Sequence, residues 1–143
     1  MESITNITVR YAETDMMGIV HHSRYYPWFE QARTEFIKSA GMSYSQMEKD
    51  GILLPLAETH AKYIIPLKYE DEVRIFTTMT KLGVASCEFG YRVYRGEELC
   101  TTGRTVHAIT NADFKPFNLK KADRGVWDRL NSLVSDKNRN IRI

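Results

Sequence analysis

The sequence predicts an α+β fold in which one long apolar helix covers one face of an antiparallel sheet. Residues 24–40 carry apolar side chains at the spacing of a helix with one buried face. Several later segments alternate apolar and polar side chains, as strands do in a sheet that is covered on one side. Because such a sheet must bury its apolar face against another element, we expect the most apolar helix to pack on it.

The first elements are a strand and the long helix. Residues 7–11 alternate apolar side chains and predict the first strand. The helix is expected over residues 24–40 with Ser23 as its N-cap. Pro27 favours a start a few residues later, because proline lacks the backbone N–H that a helix interior uses. The apolar stripe of this helix consists of Tyr25, Trp28, Phe29, Ala32, Phe36 and Ala40.

Gly41 is expected to end the long helix, since glycine adopts the left-handed conformation common after a helix C-terminus. A short helix follows, then strands joined in one place by a turn at Arg95-Gly96, then a closing helix. Their expected ranges are 43–49 for the short helix, 61–65, 72–80, 85–93 and 99–110 for the strands, 119–134 for the last helix and 136–143 for a tail. The 143 residues are interpreted as a single domain, 1–143, with a core at about residues 4–116.

Two cysteines, Cys87 and Cys100, are expected to be reduced. If the turn at Arg95-Gly96 pairs residue 91 with residue 100, Cys87 lies about 13 Å from the partner of Cys100. A disulfide tolerates a Cα separation of only about 7 Å. No CxxC pair suggests a zinc ribbon or a redox site.

The charge and the apolar pattern exclude several classes of protein. A formal net charge of +2 does not indicate nucleic-acid binding. No apolar run approaches the roughly 18 residues that a membrane span requires. The first residues have neither the basic nor the apolar region of a secretory signal. These features predict a cytoplasmic protein with no membrane span and no nucleic-acid partner.

Chemically suggestive residues are concentrated between Tyr11 and Phe36. The motifs of dinucleotide, P-loop, zinc-protease and α/β-hydrolase sites are absent. In this stretch Asp15 precedes a turn at Gly18, and His22 stands at the predicted start of the long helix. Free N–H groups at a helix start attract a developing negative charge. A carbonyl polarised there, with Asp15 near its carbon, suits acyl transfer.

The same stretch resembles the 4-hydroxybenzoyl-CoA thioesterase family and the related acyl-CoA thioesterases of the Tol–Pal system, which are hotdog-fold proteins. The residues that carry the resemblance are Tyr11, Thr14-Asp15, Gly18, His22, Tyr25 and Phe29-Glu30-x-Ala32-Arg33-x-Glu35. The resemblance extends over about residues 4–116. It implies a curled antiparallel sheet of about five strands wrapped around one long helix.

The resemblance implies hydrolysis of an acyl-CoA thioester to a carboxylic acid and free coenzyme A. It places the catalytic carboxylate at Asp15, the carbonyl-polarising N–H at His22, and further active-site positions at Tyr11 and the His22 side chain. We also expect Gly18, Ser23 and Tyr25 to bind substrate. No cofactor or metal is expected, since coenzyme A is part of the substrate, and an acyl carrier protein is an alternative thioester donor. The family implies a homodimer or homotetramer with sites at subunit interfaces.

Simpler interpretations of these residues stay open at this stage. Asp15 is also a common turn residue, His22 a common helix-start residue, and Tyr11 a plausible core aromatic. Adjacent His21 and His22 point apart, which disfavours a metal site. Other enzyme and non-enzyme functions compatible with the fold are a hydratase or dehydratase and a non-catalytic acyl-CoA or acyl-carrier binding protein. The sequence does not predict the acyl chain or the basic residues that contact coenzyme A phosphates. Glu30 and Arg33 are interpreted as solvated helix charges.

Overall fold

One five-stranded antiparallel sheet dominates the computed structural model, which describes residues 1–135. Its strands are β1 (Glu2–Thr8), β2 (Leu56–Tyr63), β3 (Glu72–Leu82), β4 (Ser86–Arg95) and β5 (Glu98–Ala108), in the spatial order β1-β3-β4-β5-β2. Four helices accompany them: α1 (Tyr25–Ser39), α2 (Tyr44–Lys49), α3 (Leu119–Ala122) and α4 (Arg124–Leu133). The predicted α+β architecture is confirmed.

Helix α1 packs its apolar stripe onto one face of the sheet. The Phe29 ring stacks on Tyr91 of β4 at 4.5 Å between centroids, and the Phe36 ring meets Phe89 edge-on at 5.7 Å. Strands β3 and β4 present alternating buried residues to this face of the sheet, as predicted. The buried rows are Val73, Ile75, Thr77 and Met79 of β3, and Cys87, Phe89, Tyr91 and Val93 of β4.

Gly103 of β5 makes room for the Phe29 ring of α1. A Cβ atom added at this glycine would stand 2.5 Å from both Cε2 and Cζ of Phe29. The carbonyl oxygen of His60 would lie 3.2 Å away on the other side. The aromatic ring therefore occupies the space that any side chain at position 103 would need.

The predicted end of α1 is confirmed. Gly41 has φ +79°, and its N–H donates to the Lys38 carbonyl while the Met42 N–H donates to Ile37. These two bonds satisfy carbonyls that the last helical turn leaves free. Ser43 then caps α2 by accepting a hydrogen bond from the Gln46 N–H at 3.2 Å.

Several predicted boundaries were wrong. The first strand covers Glu2–Thr8 rather than 7–11, since a 3₁₀ turn at Tyr11–Glu13 ends the extended chain. Strand β2 begins five residues before the predicted 61, and its mostly exposed side chains show no alternation. The predicted closing helix 119–134 is two helices, because Asp123 breaks it and caps α4 by accepting from the Val126 N–H. The predicted tail 136–143 lies outside the described residues.

Both cysteines are free, as predicted, although the predicted strand register was wrong. Tyr91 pairs with Gly103 rather than with residue 100, and Cys87 pairs with His107. A register shift between Val93 and Tyr94 accounts for part of the difference. No helix in the described part of the chain combines the length and apolar character needed to cross a membrane.

A chain of hydrogen bonds runs through the core from α1 to the segment before β2. Arg33 donates to the Tyr91 hydroxyl at 3.1 Å, and this hydroxyl lies 2.7 Å from Thr105 Oγ1. Thr105 Oγ1 lies 2.9 Å from His107 Nε2, and His107 Nδ1 lies 3.0 Å from the Leu54 carbonyl oxygen. Because that carbonyl only accepts, His107 donates from Nδ1, and the preceding hydroxyls donate in sequence toward Nε2. The interpretation of Arg33 as a solvated charge was wrong.

We predict that Gly103→Ala destabilises the fold by about 1–3 kcal/mol, because the new methyl group displaces the Phe29 ring in a packed core. Urea denaturation measures the effect. Gly125→Ala is the matched control, since a Cβ there meets only Asp123 Oδ1 at 3.6 Å. Equal stability of the two variants would contradict the close approach of the Phe29 ring to Gly103.

Stability is also predicted to depend on pH through His107. Burial, together with the Arg33 charge, lowers the pKa of His107 from 6.5 to about 4. Between these values the unfolded chain binds a proton that the folded chain excludes, so stability falls as the pH drops from 6.5 to about 4. Denaturation at several pH values should show a shallower fall for His107→Gln than for the unsubstituted protein. Identical slopes would contradict the assignment.

Candidate active site

A small cavity of about 280 Å³ at the start of α1 collects three of the six predicted site residues. Asp15, His22 and Tyr25 line it. The rest of the lining is apolar or aromatic and comes from Met17, Ile19, Val20, Tyr63, Ile64 and Pro66. One carboxylate and one histidine in an otherwise apolar pocket is the arrangement typical of a ligand or catalytic site.

Asp15 is held in a tight hairpin by backbone hydrogen bonds. Thr14 and Val20 form an antiparallel bridge, and the Asp15 N–H donates to the Ile19 carbonyl at 2.9 Å. The turn passes through Gly18, whose φ of +77° suits glycine. Oδ1 of Asp15 accepts from the Met17 N–H at 2.9 Å. Within residues 1–135, Oδ2 accepts no hydrogen bond, so one carboxylate oxygen is available for chemistry.

His22 begins a 3₁₀ turn, His22–Arg24, that leads directly into α1. His21 caps this turn, because its Nδ1 accepts from the Ser23 N–H at 3.2 Å and its carbonyl accepts from Arg24. The backbone N–H of His22 donates to no other group in the described part of the chain. The free donor at this turn therefore belongs to the residue that sequence analysis selected.

Ser23 does not fulfil its predicted role as N-cap of the long helix. The residue at the N-cap of α1 is Arg24, whose side chain makes no capping hydrogen bond. The Ser23 hydroxyl instead lies 2.7 Å from His21 Nδ1 and outside the cavity lining. Gly18 also lies outside that lining, at the turn that shapes the hairpin.

Tyr11 lies apart from the other predicted residues. A continuous strand would have placed Tyr11, Glu13 and Asp15 on one face, but the 3₁₀ turn at Tyr11–Glu13 separates them. Tyr11 is 74% exposed, and its ring contacts Tyr69 edge-on at 5.6 Å. Glu13 is buried and is directed away from solvent toward the core.

Tyr63 is the main cavity residue that sequence reasoning missed. Its hydroxyl donates to the His22 carbonyl at 3.3 Å, and its ring meets Tyr25 edge-on at 5.2 Å. Tyr25 itself is buried, and burial raises the pKa of its hydroxyl, which therefore stays protonated at neutral pH. Tyr63 follows His22 by 41 residues, so no local motif connects the two.

The histidines at this site are close together but do not form part of a metal cluster. The expectation that the side chains of His21 and His22 point apart was wrong, since their ring centroids lie 4.1 Å apart. Among residues 1–135, no group of three or more His, Cys, Asp or Glu side chains is arranged to hold a metal ion.

Comparison with known proteins relates the chain to thioesterases. A family model described as "Thioesterase-like superfamily" matches residues 9–123. YneP of Bacillus subtilis (strain 168), whose name assigns it provisionally to the acyl-CoA thioesterases, is 38% identical over 118 residues, which are 81% of this chain and 86% of YneP.

Two further relatives cover nearly the whole chain. The acyl-CoA thioesterase YbgC of Haemophilus influenzae is 29% identical over 87% of this chain and 93% of its own. The crystal structure of a DHNA-CoA thioesterase from Staphylococcus aureus superposes with a TM-score of 0.87 at 35% identity, covering 99% of this chain and 96% of that one.

Proposed function

Because the chain belongs to the thioesterase-like superfamily and has its hotdog fold, we propose that it hydrolyses an acyl-CoA thioester to a carboxylic acid and free coenzyme A. One observation supports this proposal most. Asp15 and His22, which lie on different local structures, line one small apolar cavity at the start of α1. The family relationship and the cavity both support thioester chemistry.

In this proposal the thioester carbonyl accepts a hydrogen bond from the His22 backbone N–H. Negative charge develops on the carbonyl oxygen as the carbon becomes tetrahedral, and a fixed donor stabilises that charge more than it stabilises the substrate. The adjoining α1 contributes the positive end of its dipole. Tyr63 supports the geometry by its hydrogen bond to the His22 carbonyl.

Asp15 acts as the base or the nucleophile. As a base it removes a proton from water, whose oxygen attacks the carbonyl carbon; the C–S bond then breaks and the thiolate of coenzyme A takes the proton. As a nucleophile it attacks the carbon directly, and the C–S bond breaks to release the coenzyme A thiolate; water then cleaves the resulting anhydride, and the proton that this releases goes to the thiolate. Single-turnover hydrolysis in ¹⁸O-water followed by mass spectrometry distinguishes them, since only the nucleophilic route leaves the label on Asp15.

The other predicted residues have less direct places in this mechanism. Gly18 permits the turn that carries Asp15, and Ser23 binds His21 at the 3₁₀ turn. Tyr11 lies outside the cavity lining of the single chain, so its proposed contact with substrate requires a contribution from a second subunit. Since both thiols are free and buried, we place the protein in the cytoplasm.

A homodimer or homotetramer completes the site in this proposal. Strand β2 is an edge of the sheet, and its outer edge offers unpaired backbone groups to another chain. Exposed apolar side chains lie at the mouth of the cavity, among them Met17 at 76% and Ile64 at 47% exposure. A second subunit that covers these side chains would also enclose the acyl group.

We predict that Asp15→Asn lowers thioester hydrolysis by about 100-fold or more, because the amide neither accepts a proton nor attacks the carbon. The melting temperature should stay nearly unchanged, since the asparagine oxygen can still accept from the Met17 N–H. Thiol release measured with DTNB over a panel of acyl-CoA substrates gives the rate. Asp113→Asn, an exposed aspartate outside the cavity lining, is the control.

Activity of Asp15→Asn within about threefold of the unsubstituted protein would contradict the assignment. Ligand-induced stabilisation without thiol release would favour a binding protein. Hydration of enoyl-CoA in place of thiol release would favour a hydratase. An acyl carrier protein loaded with the same acyl group tests the alternative donor.

Light scattering is predicted to give a mass of two or four chains of 16.6 kDa each. Covering the apolar mouth of the cavity provides the driving force. Met17→Glu should shift the protein toward a monomer and reduce hydrolysis, whereas Val84→Glu, an exposed apolar position outside the cavity lining, should do neither. A fully active monomer would contradict a site shared between subunits.

A further inference from the structure

Glu13 is one of two buried carboxylates in the described part of the chain, and its ion-pair partner, Arg10, lies mostly in solvent. The residue is 4% exposed. The other buried carboxylate, Glu88, accepts from Arg104 and from Thr80 across the sheet. Glu13 has only the Arg10 guanidinium nearby, at 3.6 Å, on a side chain that is 75% exposed. Because well-packed apolar residues usually stabilise a core as well as a buried charge does, stability alone does not account for this carboxylate.

The two oxygens of Glu13 accept hydrogen bonds from two separate segments. Oε1 accepts from the Arg10 backbone N–H at 2.8 Å, which fixes the 3₁₀ turn at Tyr11–Glu13. Oε2 accepts from the indole N–H of Trp28 at 2.8 Å, a buried bond that reaches the second turn of α1. The Trp28 ring is in turn held edge-on against Tyr25, a cavity residue, at 5.0 Å.

The backbone of Glu13 connects the same two parts of the site. Its carbonyl accepts from the His21 N–H at 2.9 Å, immediately before His22. Thr14, the next residue, forms the bridge to Val20 that closes the Asp15 hairpin. Glu13 therefore lies at the base of the hairpin that carries Asp15, beside the turn that carries His22, and bonded to the helix that this turn begins.

We propose that Glu13 and Trp28 are positioning residues that hold the Asp15 hairpin against the start of α1. This inference rests on the proposed function, since it concerns the separation of Asp15 from the His22 N–H. Acyl transfer depends on that separation, and a displacement of about 1 Å can cost roughly 100-fold in rate. Neither Glu13 nor Trp28 lines the cavity, so they act through Asp15 and His22 rather than on the substrate.

The test compares Glu13→Gln and Trp28→Phe with matched variants. Glutamine keeps the size of glutamate but presents an NH₂ group to one of the two donors, and phenylalanine keeps an aromatic ring but lacks the indole donor. Glu88→Gln alters the other buried carboxylate, and Trp127→Phe alters the other buried tryptophan, which lies on α4. These controls remove similar groups away from the cavity.

The turnover number of both test variants should fall about tenfold or more, with KM within about twofold, because positioning acts on the transition state. The turnover number of the double variant should lie within about threefold of that of the slower single variant, since both changes break the same hydrogen bond between Glu13 and Trp28. The control variants should keep the turnover number of the unsubstituted protein, even where their melting temperatures fall as much as those of the test variants. Test variants that behave like the controls would overturn the inference.

Hydrogen exchange of the backbone amides gives a readout that does not depend on turnover. The Asp15 and His21 amides should exchange faster in Glu13→Gln and Trp28→Phe than in the two controls, because the hairpin is released from the helix. Unchanged exchange there would overturn the inference even if the protein hydrolyses no thioester. Faster exchange without any activity of the unsubstituted protein would instead support the connection and refute the proposed function.

Discussion

The close contact between Phe29 and Gly103 is the constraint on which the rest of the structure depends. The ring reaches so close to β5 that the sheet has room for no side chain at position 103. In this position the Phe29 ring also stacks on Tyr91, and Arg33 on the next turn of the helix donates to the Tyr91 hydroxyl.

Polar contacts then determine the rotation of α1 about its axis and the position of its first turn. Apolar packing alone leaves both loosely specified. The chain from Arg33 to the Leu54 carbonyl has one direction, because each group in it donates toward the next. At the other end of α1, the Trp28 indole bonds to Glu13. Apolar burial thus supplies most of the attraction, and these directional bonds give the helix a single orientation.

Local patterns predicted those parts of the fold and the site that depend on neighbouring residues. Helix α1 and the inner rows of β3 and β4 have clear periods, and the turn that carries Asp15 and His22 lies within one short stretch. The first five residues of strand β2 escaped prediction because the side chains of this strand are mostly exposed and show no period. Arg33 and Tyr63 were misread or missed because their partners, Tyr91 and His22, lie 58 and 41 residues away.

The hairpin that carries Asp15 is held by backbone groups, and this has a consequence for how such a site can change over generations. Its bridge and its internal hydrogen bonds use the main chain of Thr14, Asp15, Ile19 and Val20. The side chains of Met16 and Met17 at its tip are 105% and 76% exposed and carry no part of that framework. In the proposed function, a substitution of Met17, which lines the cavity, changes the surroundings of the acyl group while the backbone of the hairpin keeps the carboxylate in place. The proposed contact with the acyl group and the proposed catalytic group are thus carried by neighbouring residues with separate structural support.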